Sequence, residues 1–329
     1  MQLLEPHEVA DYLLARRLLS RRSIVSGHLR ITDASSRNRN LRVSGGPGES
    51  YLLKQGIAAD SGQTLDNEVA LYRRLSPGGA PVPRLVAHDD ARGIVIIEWI
   101  AGGEDLVRLH ARRDRCPTGA AAALGRALAA IHAVKPDDEE LRDDPPWVLS
   151  LHRPQLDALR HLSAASVDLV KRLQHDAACC RALDELREGF VVEALVHRDV
   201  KWENCIADGA RRDRVKLVDW EMAGWGDPAH DVGSAFSDYV AHRPELAPQP
   251  AIARLWSAYV RARRLAGPQA SQLLERSARY AGARLLQSAF EHTQEARAAG
   301  ERVETSLRAG HELLVRPGDA AVALLGVAP

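Results

Sequence analysis

Leu195-Val-His-Arg-Asp-Val-Lys-Trp-Glu-Asn-Cys-Ile-Ala207 is a short apolar run that opens abruptly into polar residues, and Val215-Lys-Leu-Val-Asp-Trp220 repeats the device. Leu195 and Val196 read as the end of a buried strand that presents His197, Arg198, Asp199, Lys201 and Asn204. Val215, Leu217 and Val218 read as a second strand, which delivers Asp219. Buried strands that end in carboxylates and an amide have the form of an active-site floor, because rigid elements hold such groups and loops expose them. A lone Asp or Asn is commonly a turn residue that tolerates left-handed backbone. Two apolar strands, each ending in such a group, set this pair of segments apart.

The spacing suits phosphoryl transfer. That reaction needs metal ions on the phosphates, a carboxylate to orient the attacking hydroxyl, and cations on the transferring group. Asn204 and Asp219 supply hard oxygen ligands of the kind magnesium takes. Asp199 lies five residues before Asn204 (204 − 199), so one small loop can hold both. The run His197 to Asn204 also matches the kinase catalytic-loop pattern, in which the Asp is the base and the Asn holds metal.

The segment resembles the catalytic loop of protein kinases. The following text, Asp219-Trp-Glu-Met-Ala-Gly-Trp-Gly-Asp-Pro-Ala-His-Asp231, resembles the aminoglycoside phosphotransferase and choline kinase branch of that superfamily. The resemblance implies an α+β, bilobal fold with an antiparallel sheet and helix in a small N-lobe, over residues 1–100. It implies a larger helical C-lobe over 101–329, and ATP and magnesium as cofactors. It implies Asp199 as base, Asn204 and Asp219 as metal ligands, and Asp231 as a brace for the loop with no chemistry of its own.

Composition narrows the classes. Formal net charge is zero and aromatic residues make up 5%, which argues against a nucleic-acid partner. Four cysteines, two of them adjacent (Cys179 and Cys180), show no metal-ligand spacing and fit a reducing, cytoplasmic setting. Glu5, Glu8 and Asp11 stand where a signal peptide would be apolar, and no run reaches the roughly 18 apolar residues of a membrane span.

Along the chain, 6–19 reads as an amphipathic helix, and 23–31, 39–43 and 49–55 as three strands of a meander. The first turn of that meander would cover the nucleotide phosphates. It lacks the glycine-rich pattern, so Ser35, Ser36 and Asn38 would contribute instead. Gly45-Gly46-Pro47-Gly48 reads as a plain hairpin turn. The third strand ends at Lys54, and lysine is scarce. The chain has 44 Lys plus Arg, yet only five lysines: Lys54, Lys135, Lys171, Lys201 and Lys216. Arginine serves almost everywhere a generic cation would do, so a lysine kept at a strand end or in the loop points to a tight phosphate site. Glu68, on a helix read over 64–75, follows Lys54 by 14 (68 − 54). In the superfamily such a glutamate pairs with the strand lysine; a surface carboxylate is the alternative.

Residues 81–88 and 93–99 read as two more strands, the second apolar throughout and therefore central. Ile100 to Glu104 is then the hinge, with backbone groups at Glu98 to Ile100 expected to hold the adenine edge. Helical spacing follows over 104–112, 118–134, 154–163 and 167–186, then from Asp227, and over 251–266, 269–298 and 303–315.

Asp219 and Asp231 are 12 residues apart (231 − 219), too close for the long activation segment of eukaryotic protein kinases. Lys201 follows Asp199 by two, as in Ser/Thr protein kinases. The stretches Ser36 to Val43 and Ala283 to Glu291 resemble the phosphotransferases of class V lanthipeptide and thioamitide pathways. That resemblance implies a Ser/Thr hydroxyl of a ribosomal precursor peptide as acceptor, and a lyase partner. The expectation is thus an ATP- and magnesium-dependent phosphotransferase. Asp199 and Lys201 carry the chemistry, and Lys54, Glu68, Ser35, Ser36, Glu98 and Ile100 hold the nucleotide. A small alcohol such as an aminoglycoside or choline is the alternative acceptor, and a scaffold that binds nucleotide without turnover is a further alternative. The acidic run Asp137 to Asp144 reads as a solvated loop.

Overall fold

The structure is a computed structural model that describes residues 3–35, 39–56, 61–113, 115–136, 141–155, 157, 160, 162–209, 213–242, 247–294 and 300–328. It begins with α1 (Val9–Ala15) and α2 (Arg21–Val25). A five-stranded antiparallel sheet follows, in the order β1-β2-β3-β5-β4. Its strands are β1 (Arg30–Asp33), β2 (Arg39–Ser44), β3 (Ser50–Gln55), β4 (Leu85–Asp89) and β5 (Ile94–Glu98). Helix α3 (Ser61–Leu75) lies between β3 and β4 in sequence.

The apolar run in β5 is buried because both of its faces are covered. Ile94 and Ile96 join a small core with Val9, Tyr12 and Leu13 of α1 and Leu41, Val43 and Leu53 of the sheet. Val95 and Ile97 point the other way, into the large core with Leu65, Val69 and Tyr72 of α3. Alternation along one strand thus glues α1 to one side of the sheet and α3 to the other.

The rest is mostly helical: α4 (Leu106–Ala111), α5 (Thr118–Ile131), α6 (Ala164–His175), α7 (Ala177–Glu188), α8 (Pro228–His242), α9 (Gln249–Arg263), α10 (Gly267–Thr293), α11 (Glu301–Val315) and α12 (Pro317–Ala320). Two small antiparallel sheets are set among them. One pairs β7 (Ala194–Val196) with β10 (Gly224–Gly226). The other orders β6 (Glu104–Asp105), β8 (Cys205–Ala207) and β9 (Val215–Leu217) as β6-β8-β9. The fold is therefore α+β and two-lobed, a sheet-bearing part followed by a helical part. No helix among the described residues is long and apolar enough to cross a membrane.

Several element boundaries differ from the sequence reading. Of the strand expected over 23–31, residues 23–25 lie in α2, whose N-terminus is capped by Ser20 accepting from Ser23 N–H, and only Arg30 and Ile31 are extended, at the start of β1. The helix expected over 6–19 stops at Ala15, ahead of Arg17 at φ 58°. The helix expected over 167–186 is two helices. Asp176 ends α6, where its backbone leaves helical geometry (φ −94°, ψ 88°), and its side chain caps α7 by accepting from Cys179 N–H, 2.9 Å. Residues 104–105 are strand rather than helix, because they pair with β8. The helix expected over 154–163 lies in good part outside the described residues.

Candidate active site

The register of the meander decides which turn can reach a nucleotide. Asn40 lies opposite Lys54, and Ser44 opposite Ser50. The turn between β1 and β2 therefore opens at the Lys54 end, and the glycine cluster turns at the far end. There Gly45 N–H donates to Glu49 O (2.7 Å), and the Glu49 carboxylate holds Ser20 N–H and the Ser23 hydroxyl. Gly45 to Gly48 is a hairpin turn packed on α2, remote from Lys54. At the near turn, the Ser35 hydroxyl accepts from Asn40 N–H (3.0 Å). Ser36 and Asn38 lie outside the described residues.

Lys54 points off the sheet toward α3. Its Nζ donates to Glu68 Oε1 and Oε2 (2.8 and 3.0 Å) and to Asp219 Oδ1 (2.7 Å). Glu68 is fully buried, which excludes the surface alternative, and also accepts from Trp220 N–H at 3.4 Å. Two carboxylates, one from α3 and one from just beyond β9, therefore meet at one ammonium. Burial works to lower the Lys54 pKa, but the carboxylates of Glu68 and Asp219 outweigh it and hold it above the usual lysine range. Burial likewise works to raise Asp219, and the Lys54 charge and hydrogen bond, then His197 and Lys201, keep it below the usual carboxylate range.

The loop after β7 is held from below. Asp231, in the first turn of α8, accepts His197 N–H at Oδ2 (2.7 Å), Arg198 N–H at Oδ1 (2.9 Å), and His132 Nε2 at Oδ2 (3.1 Å). His132 is braced in turn by the Tyr259 hydroxyl, 2.9 Å from Nδ1. Asp231 is fully buried. Burial works to raise it, but the His132 hydrogen bond and the neighbouring histidines bring it down to about 2. Arg198 sits at φ 67° and Asp219 at φ 70°, left-handed conformations that a side chain adopts at some cost. The imidazole of His197 ties the two segments together. Its Nε2 lies 2.9 Å from Val218 O, and its Nδ1 faces Asp199 N–H at 3.3 Å, a pairing that fits the Nε2–H tautomer. The Arg198 guanidinium donates to Trp225 O (2.8 Å) and pairs with Asp144, so the C-terminal end of the acidic run docks on the loop.

On this support, Asp199 is partly open to solvent. Lys201 Nζ donates to its Oδ2 (2.6 Å), and Asn204 Nδ2 donates to the same oxygen (3.0 Å) and to Asp199 O (2.9 Å). Since the amide nitrogen of Asn204 is spent on Asp199, its carbonyl oxygen is the atom left to meet a cation. At the hinge, Glu98 N–H donates to Arg84 O and Trp99 N–H to Ser50 O. Ile100 follows them, half-buried, and its carbonyl accepts Gly103 N–H at 2.9 Å. The Glu98 carboxylate is occupied by Lys216, from β9 across the cleft.

The structure thus gathers Lys54, Glu68 and Asp219 in one cluster and Asp199, Lys201 and Asn204 in a second, joined where Val218 N–H donates to Asn204 O at 3.0 Å. Ser35 bonds only within its own turn, to Asp33 and Asn40, and Glu98 pairs with Lys216. Sequence reasoning missed Asp238, which accepts Trp202 N–H at 2.6 Å. The only signal was a carboxylate seven residues beyond Asp231 (238 − 231), on the same face of one helix.

A buried lysine hung from a sheet and paired to two carboxylates, above a carboxylate–amide loop on a helical base, is the arrangement of the two-lobed kinase-like phosphotransferases. The chain belongs to the phosphotransferase enzyme family APH, whose model matches residues 29–268. It is accordingly a kinase. Solved structures similar in fold include a choline/ethanolamine kinase family protein from Mesorhizobium loti (18% identity, 95% of this chain and 98% of that one, TM-score 0.59). A Plasmodium vivax ethanolamine kinase matches at 12% identity over 94% of this chain and 95% of that one, TM-score 0.59. The ADP-bound aminoglycoside phosphotransferase APH(2'')-Ib matches at 13% identity over 94% and 99%, TM-score 0.56. No curated protein sequence matches.

Proposed function

We propose that the protein transfers the γ-phosphoryl group of ATP, with magnesium, to an alcohol hydroxyl. The observation that carries this reading is the convergence of two joined clusters. Lys54 bridges Glu68 and Asp219, while Lys201 and Asn204 both close on Asp199. Asp199 receives the acceptor hydroxyl, aims it and takes its proton. Lys201, already bonded to that carboxylate, carries a positive charge to the transferring oxygens. Lys54 is aimed by Glu68 at the α- and β-phosphates, and Ile100 N–H meets the base. Residues 1–100 act as the nucleotide cover and 101–329 as the acceptor and metal platform.

The donor set fits magnesium. Asn204 offers a carbonyl oxygen and Asp219 a carboxylate kept ionised, and magnesium is commonly held by one or two protein oxygens, with phosphate and water completing its shell. No group of three or more His, Cys, Asp or Glu fit to hold a metal occurs among the described residues, which argues against a dedicated protein cage. Magnesium would neutralise phosphate charge as the bond to the γ-phosphorus breaks.

Two acceptor classes remain. The names of the similar structures favour a small alcohol. The Lys201–Asp199 contact, the arrangement expected of Ser/Thr kinases, favours a peptide hydroxyl. The test is transfer from labelled ATP and magnesium to a Ser/Thr-rich precursor peptide and, in parallel, to choline, ethanolamine and aminoglycosides, with Asp219→Ala beside wild type. Label that vanishes in the variant supports the reading, and its position assigns the acceptor. Label on the peptide would turn the search toward a lyase partner. Nucleotide binding with no transfer to any acceptor or to water would overturn it in favour of a scaffold.

A further inference from the structure

Asp238 is buried in α8, 6% exposed, and serves neither as base nor as metal ligand in the reading above. Its Oδ2 accepts the backbone N–H of Trp202 at 2.6 Å, short for such a bond. Asp231, on the same helix, accepts the N–H groups of His197 and Arg198. The two carboxylates are seven residues apart (238 − 231), two helical turns, which sets them about 10.5 Å apart along the axis. Both therefore face the same way, toward the loop. Asp199, Val200 and Lys201 span the interval between the tethered amides, with Val200 pinned in the core.

Trp202 is held on its other sides as well. Its indole stacks on His110 at 4.0 Å with the planes 6° apart, and Tyr239 and His242 flank it at 5.0 Å each. Asn204 begins from this anchored turn, since its N–H donates to Lys201 O at 2.9 Å. Burying a carboxylate here is expensive, and burial pushes Asp238 up to about 7. The Trp202 N–H and then Arg284 of α10 work against that rise, while Glu203 and Asp199 on the loop add to it.

We propose that Asp238 is a positioning residue for phosphoryl transfer. With Asp231 it stretches the catalytic loop between two fixed points of one helix, and so sets where Lys201 and Asn204 stand relative to Asp199. This rests on the phosphotransferase reading. Loss of the tether lets the turn at Trp202 shift, and a displacement of order 1 Å in such groups costs on the order of 100-fold in rate. The nucleotide-side groups Lys54 and Glu68 hang from the sheet and α3, so binding of the nucleotide changes little.

The test uses the full chain with MgATP and water as acceptor, so that no acceptor need be known. Asp238→Ala is expected to lower kcat for ATP hydrolysis roughly 30- to 100-fold, with KM for MgATP within about threefold. Asp238→Asn keeps an oxygen for Trp202 N–H and should recover kcat to within about fivefold of wild type. Amide exchange at Trp202, measured with MgADP bound, should quicken at least about tenfold in Asp238→Ala and much less in Asp238→Asn. Full kcat in Asp238→Ala, equal damage in both variants, or a loss confined to KM would overturn the proposal. If Asp238→Ala does not fold, Asp238→Asn decides: a loss of kcat greater than about tenfold, with Trp202 exchange unchanged, overturns it. A wild type that passes phosphate neither to water nor to any acceptor defeats the phosphotransferase reading instead, and unchanged Trp202 exchange in both variants then defeats this one.

Discussion

Asp231→Asn is the perturbation that the structure weighs most directly. Asp231 is fully buried and accepts three donors on two oxygens: His197 N–H, Arg198 N–H and His132 Nε2. An asparagine has one acceptor oxygen. Placed at Oδ2 it keeps His197 and His132, and turns an NH2 toward Arg198 N–H; placed at Oδ1 it loses the other two. The better choice still strands one amide and turns two charge-assisted bonds into neutral ones. At about 1–3 kcal/mol for a stranded group and about 1 kcal/mol for each weakened bond, the cost is about 3–5 kcal/mol. At roughly 2–4 °C per kcal/mol, Tm should fall by roughly 6–20 °C. The pH dependence has a definite sign. His132 and its neighbours hold the folded pKa at about 2, against a usual 3.8, so the contribution of the carboxylate is complete above the usual value and is lost as pH falls through about 2. Calorimetry of both proteins should show a constant gap above pH 5 that narrows below pH 4. A Tm loss under about 2 °C at pH 7.5, or a gap that widens in acid, would refute the assignment of Asp231 as an ionised brace.

Other substitutions probe separate parts of the argument. Asp199→Asn should cut turnover by about 100- to 10,000-fold while leaving Tm within about 3 °C, as thermal scans beside ATP hydrolysis will show. Lys54→Met leaves fully buried Glu68 without its cation and should cost about 3–5 kcal/mol in denaturant unfolding; adding Glu68→Leu should restore part of that stability and none of the turnover. Burial pushes His230 down to about 4, with Asp231 pulling against it. The folded state therefore prefers the neutral ring, and its stability contribution falls away between the usual 6.5 and about 4, by about 3 kcal/mol. His230→Gln should gain on wild type across that window, and a wild-type-minus-variant difference that stays flat from pH 7 to 4 would contradict it. A Cβ on Gly125 of α5 would stand 2.2 Å from Leu255 O of α9, so Gly125→Ala should destabilise by about 1–3 kcal/mol, read from the urea midpoint, with activity per folded molecule unchanged.

Legibility in the sequence followed the range of the forces involved. The apolar run at 94–97 declared a strand covered on both faces, because burial on both sides demands it. The loop from His197 to Asn204 was legible because five residues of spacing place Asp199 and Asn204 on one turn whatever surrounds them. Lys54 stood out through the scarcity of lysine. Local capping was harder to see: Ser20 caps a short helix that takes the first three residues of the strand expected over 23–31, and Asp176 stands at the break in an expected helix. In both cases a side-chain cap marks a helix start that periodicity alone does not show.

What the sequence alone determined is the set of chemical groups and their local geometry: a carboxylate and an amide on one turn, a second carboxylate at a strand end, and a lysine at another. Tertiary structure alone decided which charges meet. Lys54 and Asp219 are 165 residues apart in the chain and 2.7 Å apart in space, and nothing in local spacing could select Asp219 from the other carboxylates. It also decided that Asp231 and Asp238 grip one loop at two points, since that depends on which face α8 turns toward it. Local groups follow from covalent order and short-range sterics; partnership across the chain follows from packing, which forms only when the whole core is assembled.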